Sequence, residues 1–206
     1  MIPIYARMIM TALLSLTAVI LFLIFRTSAR RDCMTAMLLS SVGDMFMVNV
    51  FGLGQFSTYI GAAMFIAAHI VYGGCFLKLS KATGKKYINS GFIVGLVIMI
   101  ASALLLGVLA FTVPAEPKPI MFALILIYIA AIAYNVCGNF SYGFNAKGIR
   151  LILPAAVLVF YVTDVFIFFD MLGINSDLRQ FVWYAYPLAQ LALILFNSEF
   201  KRKAKV

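Results

Sequence analysis

The chain has 206 residues, 65% of them hydrophobic and 11% charged, with a mean hydropathy of +1.06. A soluble domain is about half apolar and about 25% charged, so this composition excludes one and leaves a polytopic membrane protein, read as a single membrane domain over 1–206. The net charge of +9 does not call for nucleic acid, because the basic residues sit in short clusters between apolar runs.

Seven stretches are long enough to span a bilayer at roughly 20 residues each. The expected fold is therefore all-α, a bundle of about seven transmembrane helices. The first, 4–25, is longer than the core of a signal peptide. Arg26, Arg30 and Arg31 follow it, whereas a signal's basic residues precede its core, so it reads as a retained helix. The second, 33–52, carries Ser40 and Asp44 at i, i+4 and ends at Gly52-Leu53-Gly54. The third, 56–78, aligns Gly61, Phe65, His69, Tyr72 and Phe76 on one face before Thr83-Gly84. The fourth, 88–113, is closed by breakers from Pro114 to Pro119. The fifth, 120–138, puts Tyr128 and Asn135 in line with Asn139 just beyond it. The sixth, 149–170, pairs Phe160 with Asp164 and precedes the turn signal Asn175-Ser176-Asp177; the seventh, 180–198, pairs Tyr186 with Gln190.

Charge sets the expected orientation. Of the 16 Lys and Arg residues, all but Arg7, Lys118 and Arg179 fall in one alternating set of connectors and the C-terminal run Lys201, Arg202, Lys203 and Lys205. The positive-inside rule then places the N-terminus outside and the C-terminus in the cytoplasm, as in a multi-pass protein of the cell membrane if the source is bacterial. Cys33, Cys75 and Cys137 lie near cytoplasmic helix ends, where thiols stay reduced. An odd count without close spacing argues against a disulfide framework or a zinc site. Asp170, Asp177 and Glu116 are read as solvated at the outer surface, and the terminal basic run as a topology anchor.

Asp44, His69, Asp164 and Gln190 are the informative residues. A charge in hydrocarbon costs roughly 3 kcal/mol or more, so these side chains are expected to face one another or an internal cavity. At about 1.5 Å per residue, Asp44 lies roughly 17 Å and Asp164 roughly 22 Å from the cytoplasmic starts of their helices. All four then fall near the midplane. Two carboxylates on separate helices point to acid–base chemistry or ion handling. His69 is the only histidine and suits a hydrogen-bonding role better than metal ligation. Gln190, Asn135 and Tyr128 equally suit helix–helix hydrogen bonding. No nucleophile elbow or phosphate-binding glycine loop is present.

Ser40-Ser41-Val42-Gly43-Asp44, followed by Gly61, Met64-Phe65, His69 and Tyr72, resembles the signature of the YhhN-like membrane proteins, the family that includes the mammalian lysoplasmalogenases. Phe160-Tyr161-Val162-Thr163-Asp164 is similar to its F-x-x-S-D segment, and Tyr186-Pro187-Leu188-Ala189-Gln190 to its closing Y-x-x-A-Q. The order matches over roughly residues 35 to 198. Thr163 stands where Ser is usual, Ala156-Val157 replaces a Gly-Ala pair, and Asp170 sits where an amide can occur.

The resemblance implies hydrolysis of the vinyl-ether bond of a lysoplasmalogen, in its ethanolamine or choline form, to a fatty aldehyde and a glycerophospho-alcohol. The partner is a lysophospholipid in the bilayer, and neither cofactor nor metal is required. Asp44 and Asp164 would be the catalytic pair. Ser40, His69, Tyr72, Tyr128, Asn135, Thr163, Tyr186 and Gln190 would bind or orient substrate. The chemistry needs a protonated acid near neutral pH, and burial beside a second carboxylate is the general means of providing one. A proton-coupled transporter or channel using the same pair, and a lipid-binding protein without turnover, are the competing expectations.

Overall fold

The computed structural model describes residues 3–112, 119–171 and 179–197. Among them are seven α-helices and no strand: α1 (Ile4–Phe25), α2 (Ser28–Met47), α3 (Gln55–Ala82), α4 (Ser90–Thr112), α5 (Pro119–Ala146), α6 (Ile152–Met171) and α7 (Arg179–Phe196), with a 3-10 turn over Gly148–Leu151 before α6. The readings made for Glu116, Lys118, the breakers before α5, the turn at Asn175-Ser176-Asp177 and the terminal basic run fall outside the described residues. So do the side chains of Asp170 and Arg179.

Among the described residues, five segments are long and apolar enough to cross a membrane: Ile4–Phe25, Gln55–Ala82, Ser90–Val108, Ala123–Ala146 and Gly148–Phe169. The second helix holds Arg30, Arg31, Asp32 and Asp44 and so lacks a continuous apolar window. The apolar part described in α7, Phe181–Phe196, is shorter than the other five. Large apolar side chains cover the outside of the bundle, among them Ile9, Leu13, Leu16 and Ile20 on α1 and Ile93, Val97, Ile100 and Leu104 on α4. Exposure on that scale fits contact with lipid rather than water.

The second span starts earlier than its apolar run indicates, at Ser28 rather than 33, and ends at Met47 rather than 52. Two features explain the shift. Thr27 caps the helix, its Oγ1 accepting from Arg30 N at 3.2 Å. Arg30 is no connector residue: only 1% exposed, it donates to the Ile194 and Leu195 carbonyls at the end of α7. Those carbonyls lie in the last turn of α7, where helical N–H donors run out, so Arg30 joins the start of α2 to the end of α7. The shift also corrects the depth of Asp44, which stands in the last turn of α2 rather than near its middle.

The fifth span is longer than its apolar run, reaching Ala146 rather than 138. Its polar end is held by the connector before α4. Ser141 Oγ donates to Tyr87 O at 2.6 Å, Asn145 Nδ2 to Lys86 O at 3.1 Å, and Asn89 Nδ2 to Ser141 O at 2.9 Å. Ser80 on α3 adds contacts to the Ser141 and Asn145 side chains. The remaining spans agree with their apolar runs to within a few residues.

Six helices close a ring in the order α1, α2, α3, α5, α6, α7 and back to α1, while α4 packs outside it against α5. Glycines let the closest pairs approach. A Cβ on Gly43 would come within 3.0 Å of the Phe65 ring and 3.3 Å of Gly61 O, so α2 and α3 nearly touch beside Asp44. A Cβ on Gly138 would lie 3.0 Å from Gly73 O, which sets the α3–α5 contact. Phe76, Val136, Leu153 and Leu193, all fully buried, fill the ring toward the second half of α3.

Candidate functional site

Six helices each contribute a polar side chain to the interior: Thr11 from α1, Ser40 and Asp44 from α2, His69 and Tyr72 from α3, Asn135 and Asn139 from α5, Asp164 from α6, Tyr186 and Gln190 from α7. Each is 8% exposed or less. They form two hydrogen-bonded chains, each ending on one carboxylate.

The first chain ends on Asp44. Tyr72 OH donates to Gln190 Oε1 at 2.7 Å, and Gln190 Nε2 donates to Tyr186 OH at 3.2 Å and to Ser40 Oγ at 3.3 Å. Tyr186 OH donates to Asp44 Oδ2 at 3.1 Å, and Thr11 Oγ1 donates to the same oxygen at 3.0 Å. The tyrosine on the carbonyl side of Gln190 fixes its amide, so the donors run from Tyr72 through Gln190 and Tyr186 to Asp44, with a branch to Ser40. The i, i+4 spacings of Ser40 with Asp44 and of Tyr186 with Gln190 make this possible.

The second chain ends on Asp164. Asn139 Nδ2 donates to Asn135 O at 3.0 Å and to Asn135 Oδ1 at 2.8 Å. The backbone carbonyl can only accept, so it fixes which end of the Asn139 amide faces Asn135. That in turn makes Asn135 Nδ2 the group facing His69 Nδ1 at 3.0 Å. His69 Nδ1 therefore accepts, and the proton resides on Nε2, which donates to Asp164 Oδ2 at 3.2 Å. The hydrogen-bond network thus assigns the tautomer. Asp164 Oδ1 is buried and takes no hydrogen bond of normal geometry. Tyr128 contacts His69 edge-on, ring centroids 5.6 Å apart.

Aromatic rings separate the two chains. Phe160 lies 4.7 Å from the His69 ring and 5.3 Å from the Tyr186 ring, and Phe65 closes the other side of Tyr186 at 6.4 Å. Pro187 lies within α7; it has no N–H, so the helical bond to the Trp183 carbonyl is missing one turn above. A crevice of about 290 Å³ between α1, α2 and α7 leads to Asp44, with Arg7, Thr11, Met45 and Trp183 in its walls.

Nine of the ten residues singled out from the sequence meet around these two carboxylates: Asp44, Asp164, Ser40, His69, Tyr72, Tyr128, Asn135, Tyr186 and Gln190. Thr163 does not join them, because its hydroxyl donates to Phe160 O at 2.6 Å within its own helix. Thr11 was missed, and Asn139 was aligned with its neighbours but given no role. The signal for Thr11 is the stripe Arg7, Thr11 and Ser15, polar residues at steps of four along one face of α1, the first two of them buried. Among the described residues, no three His, Cys, Asp or Glu side chains converge as metal ligands do. Cys33 and Cys75 face each other with Sγ atoms 3.8 Å apart, and all three cysteines are free.

Searches of curated proteins and of solved structures return no match. The sequence model of the YhhN family matches residues 3–196, which takes in every helix and both carboxylate chains. The chain belongs to the YhhN family.

Proposed function

We propose that this protein is an intramembrane hydrolase that cleaves the vinyl-ether bond of lysoplasmalogens, using Asp44 and Asp164 as its acid–base pair. The observation that carries the reading is the pair itself: two buried carboxylates, each at the end of its own chain of donors, with a crevice lined by Asp44. Membership of the YhhN family supports the same reading.

The supports differ, and so do the roles they suit. Thr11 and Tyr186 both donate to Oδ2 of Asp44, which leaves Oδ1 as the oxygen to carry the transferable proton. Asp44 is the acid: it protonates the alkene carbon distal to the ether oxygen. The adjacent carbon becomes an oxocarbenium ion. Asp164, held by the Nε2–H of His69, is the carboxylate that steadies this cation and takes a proton from the water that adds to it. Collapse of the hemiacetal breaks the bond to the glycerol oxygen, which leaves protonated, and releases the fatty aldehyde. One water is consumed, and the two carboxyl groups return to their starting states after proton exchange with solvent. Glycosidases divide labour between two carboxyl groups over a similar cation.

The topology proposed with this function is seven membrane spans, N-terminus outside and C-terminus cytoplasmic, from the distribution of basic residues. Asp44 and its crevice then lie near the outer face. The competing role as a proton pathway is less well supported. The hydrogen-bonded chain stops at Tyr72, Gln190 and Ser40, and Phe76, Leu153 and Leu193 fill the bundle beyond them.

Turnover in D2O tests the chemistry. Vinyl-ether hydrolysis by carbon protonation places one deuterium on the carbon next to the aldehyde carbonyl. An aldehyde without that label, or no aldehyde at all, contradicts the reaction.

A further inference from the structure

The crevice over Asp44 reaches the side of the bundle. Its wall passes from buried to exposed across α1: Thr11 is 5% exposed, whereas Ile9 is 57% exposed and Ala12 is exposed as well. Ile9 continues the apolar face of α1 formed by Leu13, Leu16 and Ile20, the face that meets lipid. Ile9 and Ala12 follow the start of α1 at Ile4 by five and eight residues, roughly 8 and 12 Å along a helix about 33 Å long. That helix is apolar enough to cross a membrane over its whole length, so the mouth lies within hydrocarbon. Behind the mouth, Thr11 donates to Asp44 at 3.0 Å. One turn deeper, Ser15 and Ser41 are hydrogen-bonded. Ser41 Oγ donates to Met37 O at 3.0 Å, so Ser15 is the donor to Ser41. This pair ties α1 to α2 and forms the floor. Trp183, with the Arg7 guanidinium over its ring, is the back wall toward α7.

We propose that the gap between α1 and α2 is a lateral gate through which an aliphatic chain passes from the bilayer to Asp44, with Ala12 as the residue that keeps it open. The gate rests on the hydrolase reading only for the chemistry at Asp44; it adds the route by which that site is filled. The mouth is continuous with the lipid-facing surface of α1, so a chain that enters exchanges one apolar surrounding for another. A water-soluble ligand would first have to give up its hydration to reach the same opening. Met8 and Met45 line the passage beside Ala12, and their unbranched thioethers yield to a chain without holding one shape. The methyl group of Ala12 leaves the mouth clear, whereas a large side chain at the same position would lie across it. The floor closes the gap below Asp44. Its two hydroxyls are engaged with each other and with Met37 O, so it adds no unsatisfied polar group to an apolar wall. A volume of about 290 Å³ is at the small end of ligand pockets. Selection at this gate is by solubility: ligands dissolved in the bilayer reach Asp44, and ligands confined to water do not.

Photolabelling tests the route without any turnover. The protein is placed in phosphatidylcholine vesicles that contain a single-chain alkyl phospholipid with a diazirine in its alkyl chain, and irradiated. Peptide mapping should find adducts on the buried Thr11 and Asp44 as well as on the lipid-facing Val97 and Leu104 of α4. Ala12→Phe should remove most of the adducts on Thr11 and Asp44 and leave those on α4 unchanged. Ala12→Val should give an intermediate loss. Leu16→Phe, on the lipid face of α1 and outside the crevice, should change neither. Native protein without adducts on Thr11 or Asp44, or adducts there that Ala12→Phe leaves at the native level, overturns the proposal. Labelling of Asp44 by a water-soluble diazirine that Ala12→Phe leaves unchanged would mean entry from an aqueous end and also overturns it. Aldehyde release is measured in the same vesicles, where kcat/KM should fall about tenfold in Ala12→Phe. Inner adducts controlled by residue 12 in a protein that releases no aldehyde would uphold the gate and refute the hydrolase. Aldehyde release with Thr11 and Asp44 unlabelled would do the reverse.

Discussion

His69 is held in one tautomer by residues that touch neither carboxylate. The backbone carbonyl of Asn135 fixes Asn139, the Asn139 amide fixes Asn135, and Asn135 leaves His69 with its proton on Nε2. As the only histidine, it gives an uncluttered 15N imidazole spectrum. The native protein should show a protonated Nε2 and a bare Nδ1. Replacing Asn139 by Leu removes the anchor, and mixed tautomers should appear with a roughly tenfold loss of kcat and little change in KM. A single unchanged tautomer in that variant would mean Asn135 needs no anchor. Asn139 Oδ1, buried without a partner, fits a residue retained for this orientation rather than for its own full satisfaction. On the other chain, Tyr186→Phe removes one of the two donors to Asp44 and leaves Thr11 in place. Turnover should fall about tenfold rather than vanish, as steady-state kinetics would show.

At the level of helices, two contacts hold the site in register. Arg30 satisfies the last carbonyls of α7, the helix that carries Tyr186 and Gln190. Arg30→Gln should lower stability by about 2–3 kcal/mol, read as an earlier thermal transition in detergent. Arg30→Lys should recover only part of this, because an ammonium cannot span two carbonyls as a fork does. The close approach of α2 and α3 at Gly43 and Gly61 is the second contact. Gly43→Val would force Phe65 and the α3 backbone away, at a cost of about 1–3 kcal/mol. Because Asp44 is the next residue, kcat/KM should drop as well. A stable and fully active Gly43→Val would show that the spacing here is not needed. Helix ends were the least legible part of the sequence. Arg30 reads as a connector charge until its carbonyl partners on α7 are known, and Asn145 reads as a loop residue until Ser80 is found beside it. Both depend on contacts between helices distant in sequence, which apolar run length does not report.

For the whole molecule, seven helices and the faces carrying Asp44, His69, Asp164 and Gln190 were legible, because periodicity and the cost of burying charge act locally along each helix. The ring order was not legible: α4, at a mean hydropathy of 2.6, is no more apolar than α1 inside the ring, and its lack of an interior polar residue does not say which helix it packs against. Nor was the division into two chains of donors, since Thr163 and Thr11 look alike in sequence yet one bonds its own helix and the other Asp44. The orientation proposed from basic residues predicts that an enzyme reporter active only outside the cell works when fused at residue 3 and fails when fused after residue 197. The opposite pattern would place Asp44 and its crevice at the cytoplasmic face. The most direct test of the carboxylate pair is aldehyde release from lysoplasmenyl-ethanolamine by purified protein in detergent, with Asp44→Asn and Asp164→Asn measured beside it. Turnover by the native chain that falls at least about 100-fold in both variants, with folding intact, is the predicted result. Native turnover that survives either substitution would contradict the pair as the catalytic centre.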